Sequence, residues 1–143
     1  MTALADIRAG LAANLSAAIT DAQITGYLMS SPTPPCFEIE PLSVAYDKAM
    51  GRGHDEWRLT VRGIVSVTSD IGAQKRLDRW LKSSGGESVK AALESDRTLG
   101  GVCDDLRVED IPEPAYRHYA SQSAPGANYL GAEWTVLVIA SGA

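Results

Sequence analysis

Two stretches of alternating side chains constrain this chain more than any other feature. In the first, the run YDKAMGRGHDEWRLTVRGIVSV from Tyr46 to Val67 leads from a charged, glycine-flanked turn into a strand. Trp57, Leu59, Val61, Val65 and Val67 share one face, and Arg58, Thr60, Arg62, Ser66 and Thr68 share the other. A period of two is that of a half-buried strand, so a sheet with one wet face is expected. In the second, Leu130, Ala132, Trp134, Val136 and Val138 face one way and Tyr129, Glu133, Thr135, Leu137 and Ile139 the other. Leu137 and Ile139 make that second face partly apolar, which predicts that something covers it.

Two shorter strands complete the expected sheet. Phe37 and Ile39 alternate with Glu38 and Glu40 and are closed by Pro41; Val102, Leu106 and Val108 alternate with Cys103, Asp105 and Arg107, with Asp104 spoiling the pattern. Three helices are expected beside these four strands. Leu4, Ile7, Leu11, Leu15, Ala18 and Ile19 recur at helical spacing after Thr2, a good cap, and leave an outer face that is mostly alanine. Asp70 caps a second helix with Ile71, Gln74, Leu77, Trp80 and Leu81 on one face, a basic outer side of Lys75, Arg76, Arg79 and Lys82, and Gly85 and Gly86 at its end. A third covers Ser88 to Leu93, with Val89, Ala92 and Leu93 inward, before Gly100 and Gly101 close the region. The expected fold class is therefore α+β, an α/β sandwich of about four mainly antiparallel strands with two to three helices packed on one face. With 143 residues, a single domain over 1–143 is the expectation.

Composition narrows the function classes. No stretch approaches the roughly 20 apolar residues of a membrane-spanning helix, and Asp6 and Arg8 interrupt the N-terminal segment, so neither membrane span nor signal peptide is read. A net charge of -5 argues against a protein that grips nucleic-acid phosphates, which takes a basic patch. Cys36 and Cys103 lack CxxC spacing and read as buried, reduced thiols with no metal role. His54 and His118 have no local motif with either thiol, Asp104 and Asp105 point to opposite strand faces, and Gly51-Arg52-Gly53 lacks phosphate-loop spacing. No catalytic, cofactor or metal residues are assigned. Between the last two strands, IPEPAYRHYASQSAPGAN at 111–128 is too long for a tight hairpin; its Tyr116, Arg117, His118 and Tyr119 are expected to dock on a neighbouring protein, since Tyr and Arg are enriched at contact hot spots. The proline-rich segment from Thr25 to Cys36 reads as a connecting loop.

YDKAMGRGHDEW before the long strand, SVKAALESDRTLGGVCDDLRV from Ser88 to Val108, and the ending YLGAEWTVLVIA from Tyr129 to Ala140 together cover about half the chain. In this order they resemble the tail terminator proteins of long-tailed, siphovirus-type bacteriophages, particularly those of actinobacteria. The resemblance implies a structural protein rather than an enzyme, located in the neck of the virion tail and assembled in the host cytoplasm. It implies a ring of six copies that caps the tail tube, stops tube polymerisation and offers a docking surface to the head-tail connector. Six copies carry a formal charge of about -30, which suits a channel that passes DNA without binding it. Tyr46, Asp47, Gly51, Arg52, Gly53 and Asp55 match the family's first motif, and Asp96, Arg97, Gly100 and Gly101 its second. Arg52 and Arg97 are expected to pair with carboxylates within the domain or across a subunit boundary. The expected interface residues are Tyr46, Asp47, Arg52, Asp55, Arg97, Tyr116, Arg117 and Tyr119. The alternatives are another neck protein, such as a head-tail stopper or tail completion factor, a small thiol-dependent hydrolase using Cys103 and a histidine, and a ligand-binding module whose final strand lines a cavity.

Overall fold

The computed structural model describes residues 4–20, 22–28, 35–46, 54–66, 70–120 and 128–141. The two alternating runs form its centre: β3 (His54–Ser66) and β6 (Asn128–Ser141) pair antiparallel along their whole common length, from His54 opposite Ser141 to Ser66 opposite Tyr129. On the far side of β3 lies β2 (Cys36–Ala45), antiparallel, followed by the two-residue β1 (Gln23–Ile24), which is parallel to β2. On the far side of β6 lie β4 (Asp105–Asp110) and β5 (Arg117–Ala120), both antiparallel to it. The sheet order is β1-β2-β3-β6-β4, with β5 on β6 as well. The fold is α+β as expected, with six strands among the described residues where about four were expected.

All three helices cover one face. From α1 (Leu4–Ala18), Ile7, Leu11 and Leu15 are buried, with Ile19 just beyond the helix; from α2 (Asp70–Trp80) come Ala73, Leu77 and Trp80; from α3 (Val89–Leu93) come Val89, Ala92 and Leu93. They form one core with Phe37 and Ile39 of β2, Leu59, Val61 and Val65 of β3, and the even-numbered residues of β6 from Leu130 to Ala140. The Asn14 amide ties α1 to the end of α3 by donating to the Leu93 and Asp96 carbonyls, at 3.0 and 3.1 Å. The Leu93 carbonyl is one that the helix end leaves without an intrahelical partner, and Asp96 belongs to the turn that follows. Ser88 caps α3, its hydroxyl accepting from the Ala91 amide.

Several expectations need correction. Pro41 does not close β2, which runs on to Ala45 through an irregularity between Pro41 and Ser43. Among the described residues β1 covers only Cys36 and Phe37, so from Glu38 onward β2 is an edge strand, where proline is tolerated. The segment at 111–128 contains β5: Asp110 pairs with Thr135 and Arg117 with Gly131, so β4 and β5 form one interrupted edge strand and residues 111–116 bulge out of it. Ile71 and Gln74 are exposed, and Ala73 takes their expected place under α2, which stops at Trp80 rather than at Gly85. Ala18 is exposed, and Val102 precedes the strand instead of starting it. Thr2, Val67 and Thr68 lie outside the described residues. No helix among those described is long and apolar enough to cross a membrane.

Gly63 shows how tightly the helix face is filled. It sits opposite Phe37 and Ala132, and a Cβ built on it lies 2.6 Å from the Phe37 ring and 3.1 Å from the Trp80 ring. Two aromatic rings occupy the space a side chain needs. Gly63→Ala is therefore expected to destabilise the fold by about 1–3 kcal/mol through overpacking. Thermal unfolding checks this: an unchanged midpoint contradicts the packing account.

Candidate functional site

Among the described residues the second sheet face carries no helix, yet it is not simply wet. Ile64 and Leu137 are buried there, as are Thr60 and Glu38. Its centre is Arg62 of β3, whose guanidinium reaches Glu38 at 2.6 Å and Glu40 at 2.8 Å on β2, and Glu133 at 3.0 Å on β6. The side chains of Arg62, Glu38 and Glu133 are 17%, 7% and 16% exposed and so largely withdrawn from water, while Glu40 at the strand edge is 38% exposed. Burial by itself lowers the pKa of Arg62, but hydrogen bonds to Glu40, Glu38 and Glu133 outweigh it and the guanidinium is held more firmly protonated than usual. One cation thus fastens three adjacent strands. Because successive residues point to opposite faces, a one-residue slip of either neighbour breaks this bridge, so the cluster fixes register.

Around this centre the charges are arranged in pairs. Arg58 bonds Glu109 at 3.2 Å and Arg107 approaches the same carboxylate at 3.8 Å, while Arg117 lies 3.8 Å from Glu133 and donates to the Pro112 and Glu113 carbonyls. His54, at the start of β3, lies 2.9 Å from Asp104. A cleft of about 260 Å³ opens at the β4 end of this face, floored by Leu137 and Ile139 and rimmed by Arg97, Asp105 and Arg107.

The turn before β4 is built from the expected second motif. Asp96 accepts hydrogen bonds from the amide and hydroxyl of Thr98 and the amide of Gly100, and Leu99, Gly100 and Gly101 all have positive φ (51°, 70° and 96°), the region glycine adopts without strain. The turn aims Arg97 at Asp105, which it grips through two bonds of 2.8 and 3.1 Å. Arg97 thus pairs with a carboxylate inside the domain. Bonds from Thr98 hold Asp96, and the Arg97 guanidinium holds Asp105, below the usual carboxylate range. The unfolded chain therefore takes up protons on these groups before the folded one does. Their contribution is complete above the ordinary carboxylate values near pH 4 and is lost as pH falls through the depressed folded values. Asp105→Asn is expected to lower Tm at pH 7 and to converge with the parent as both are acidified; parallel curves contradict the pairing.

The other expected interface residues are more dispersed. Tyr46, just past the end of β2, is 67% exposed, with its ring edge-on to Trp57 at 6.5 Å. Asp55, near the start of β3, is opposite Ala140. The Tyr116 hydroxyl bonds Asp78 of α2, which raises its pKa, so this ring anchors the 111–116 bulge to the helix layer. Tyr119 pairs with Tyr129 in the ladder, but its side chain, like that of His118, lies outside the described residues, as do Asp47, Gly51, Arg52 and Gly53. The structure therefore brings Arg97 together with Asp105, and Arg117 with Glu133, but gathers no single cluster from those of the eight whose side chains are described.

Sequence reasoning did not single out Arg62, Glu38, Glu40 or Glu133 as a set. The alternation placed Arg62 on the polar face, but the set becomes visible only with the strand register. Glu94 was also missed: it accepts the Val108 amide at 2.9 Å and is bonded by Lys90 at 2.5 Å. Burial raises its pKa, but Lys90 and the Val108 amide outweigh that and lower it. A carboxylate thus occupies a backbone donor of β4, one of the ways an edge strand is protected.

The thiols are poorly placed for nucleophilic chemistry. Burial pushes both Cys36 and Cys103 up to about 11, with help from Glu38 at the first and Asp104 at the second. The Cys103 sulfur approaches the Arg97 carbonyl at 3.4 Å within the core. Among the described residues no group of three His, Cys, Asp or Glu side chains is gathered to hold a metal. No protein-family model matches the chain, and no curated protein matches it.

Proposed function

We propose that this chain is a tail terminator of a long-tailed bacteriophage, a structural protein and not an enzyme. In this reading six copies close into a ring on the end of the tail tube, stop its polymerisation and present the surface to which the head-tail connector binds. The resemblance of the three ordered segments supports it. The structural observation that carries it is the unlikeness of the two sheet edges. Among the described residues β2 is unpaired on its outer side from Glu38 onward, while the β4 edge has a donor occupied by Glu94. Unlike edges on one subunit suit head-to-tail contacts, which generate rings where the rotation closes. The net charge of -5 on each copy fits a passage that DNA crosses without adhering. The hydrolase reading has no comparable support, since its thiols are buried and protonated.

The test is a tube-polymerisation assay. Adding the protein to polymerising tail-tube protein is expected to shorten the tubes and leave ring-shaped density at one end in electron micrographs. Tubes of unchanged length with bare ends overturn the reading.

A further inference from the structure

Among the described residues five large apolar side chains are exposed, Tyr27, Leu28, Leu42, Tyr46 and Ile71, and the two aromatic ones have a neighbour. The Tyr27 ring lies under the Arg8 guanidinium at 5.0 Å, and Tyr46 meets Trp57. Of the three aliphatic ones Leu42 is the one on the sheet: it stands at the irregularity between Pro41 and Ser43, on the open edge of β2, and is 55% exposed. At the opposite edge of the sheet, between the end of α2 and β4, is a cleft of about 170 Å³ floored by Leu81, Val108, Ile111 and Trp134. About 150 Å³ is enough for a dry apolar cavity to take a benzene-sized group, so the cleft has room for one leucine side chain.

Charge distinguishes the two sides of the cleft. Lys82 stands at its α2 side with no ion pair among the described residues, whereas Lys90 is taken by Glu94. Asp110 stands on the β4 side, and Glu109 there is taken by Arg58. Next to Leu42, Glu40 belongs to a cluster in which Arg62 meets three carboxylates, and its side chain is 38% exposed. An exposed leucine beside an excess of negative charge thus lies at one edge, and an apolar cleft with a free ammonium at the other.

We propose that the occupant of this cleft is a second copy of the chain: Leu42 of one copy enters the Leu81/Val108/Ile111/Trp134 cleft of the next, with Glu40 turned to Lys82 and away from Asp110. The contact is head-to-tail, so it repeats around a closed ring. It rests on the ring reading above and names the surfaces that make the ring.

Cross-linking in the full chain tests it. A Leu42→Cys, Ile111→Cys variant, assembled alone or on tail tubes and mildly oxidised, is expected to give an intermolecular disulfide ladder reaching six copies, while either single variant gives none. The buried native thiols do not compete. Leu42→Asp, at an exposed position, is expected to keep the parent unfolding midpoint and to lose association at concentrations where the parent assembles. Rings that form in the double variant without cross-linking, or that form in Leu42→Asp as in the parent, overturn this contact and leave the terminator reading standing. No assembly of the parent, either alone or with tube protein, overturns both.

Discussion

Replacing Arg62 by alanine is expected to be among the most damaging single changes to the fold. The substitution leaves Glu38 and Glu40 on β2 and Glu133 on β6, either side of β3, with their shared cation gone. Breaking a buried ion pair from one side costs about 3–5 kcal/mol, because the charge left behind, here chiefly that of the 7% exposed Glu38, stays buried. For a domain of this size the expected fall in Tm is about 10 °C or more. The cost belongs to the orphaned carboxylates rather than to the missing attraction. Arg62→Met combined with Glu38→Gln, Glu40→Gln and Glu133→Gln is therefore expected to recover most of the loss. Thermal unfolding of both variants separates the two contributions, and a single variant as stable as the parent contradicts the role given to the cluster. Loss of Arg62 also frees β2, which carries Leu42, so association is expected to weaken with stability.

The second large effect is expected at Trp80. Its ring is fully buried, 4.5 Å from the Phe37 ring between centroids, and Phe37 in turn lies 6.3 Å from Trp134. These aromatics join α2 to β2 and β6 across Gly63, whose missing side chain makes the space. Trp80→Ala empties as large a volume as any side chain fills in the core, Trp134 being its equal, and a truncation of this kind costs about 3–5 kcal/mol. A denaturant midpoint lowered with the slope unchanged is the expected result. A variant within about 1 kcal/mol of the parent contradicts the packing described here. Trp80→Phe is expected to cost less, since a ring still meets Phe37.

The long strands and the outlines of the helices are legible in the sequence because periodicity accumulates over their length. Ile7, Leu11 and Leu15 identify the inner face of α1, and the alternating residues of β3 and β6 identify which way each strand faces. Elements of two and four residues carry no such signal, which is why β1 and β5 are invisible and why β5 reads as loop. On α2 a chemical preference misleads: Ile71 is more apolar than Ala73, but it lies at the helix start, off the line set by Leu77 and Trp80, and is 67% exposed. The Arg62 cluster is half legible. Alternation places its members on the polar face, whereas their meeting depends on β2–β3 and β3–β6 register, which local pattern does not contain. Tyr116 shows the same limit, since its bond to Asp78 joins segments far apart in the chain. Arg97 is the favourable case, because the turn that aims it and the carboxylate that receives it lie within one short stretch.

The account rests above all on a closed ring of identical subunits. Its most direct test is the particle mass by light scattering across a range of concentrations, without and with tail-tube protein. A particle of six copies of the 15.2 kDa chain, free or seated on tube ends, is the predicted result. A mass of one copy at every concentration, with none sedimenting with the tubes, contradicts it.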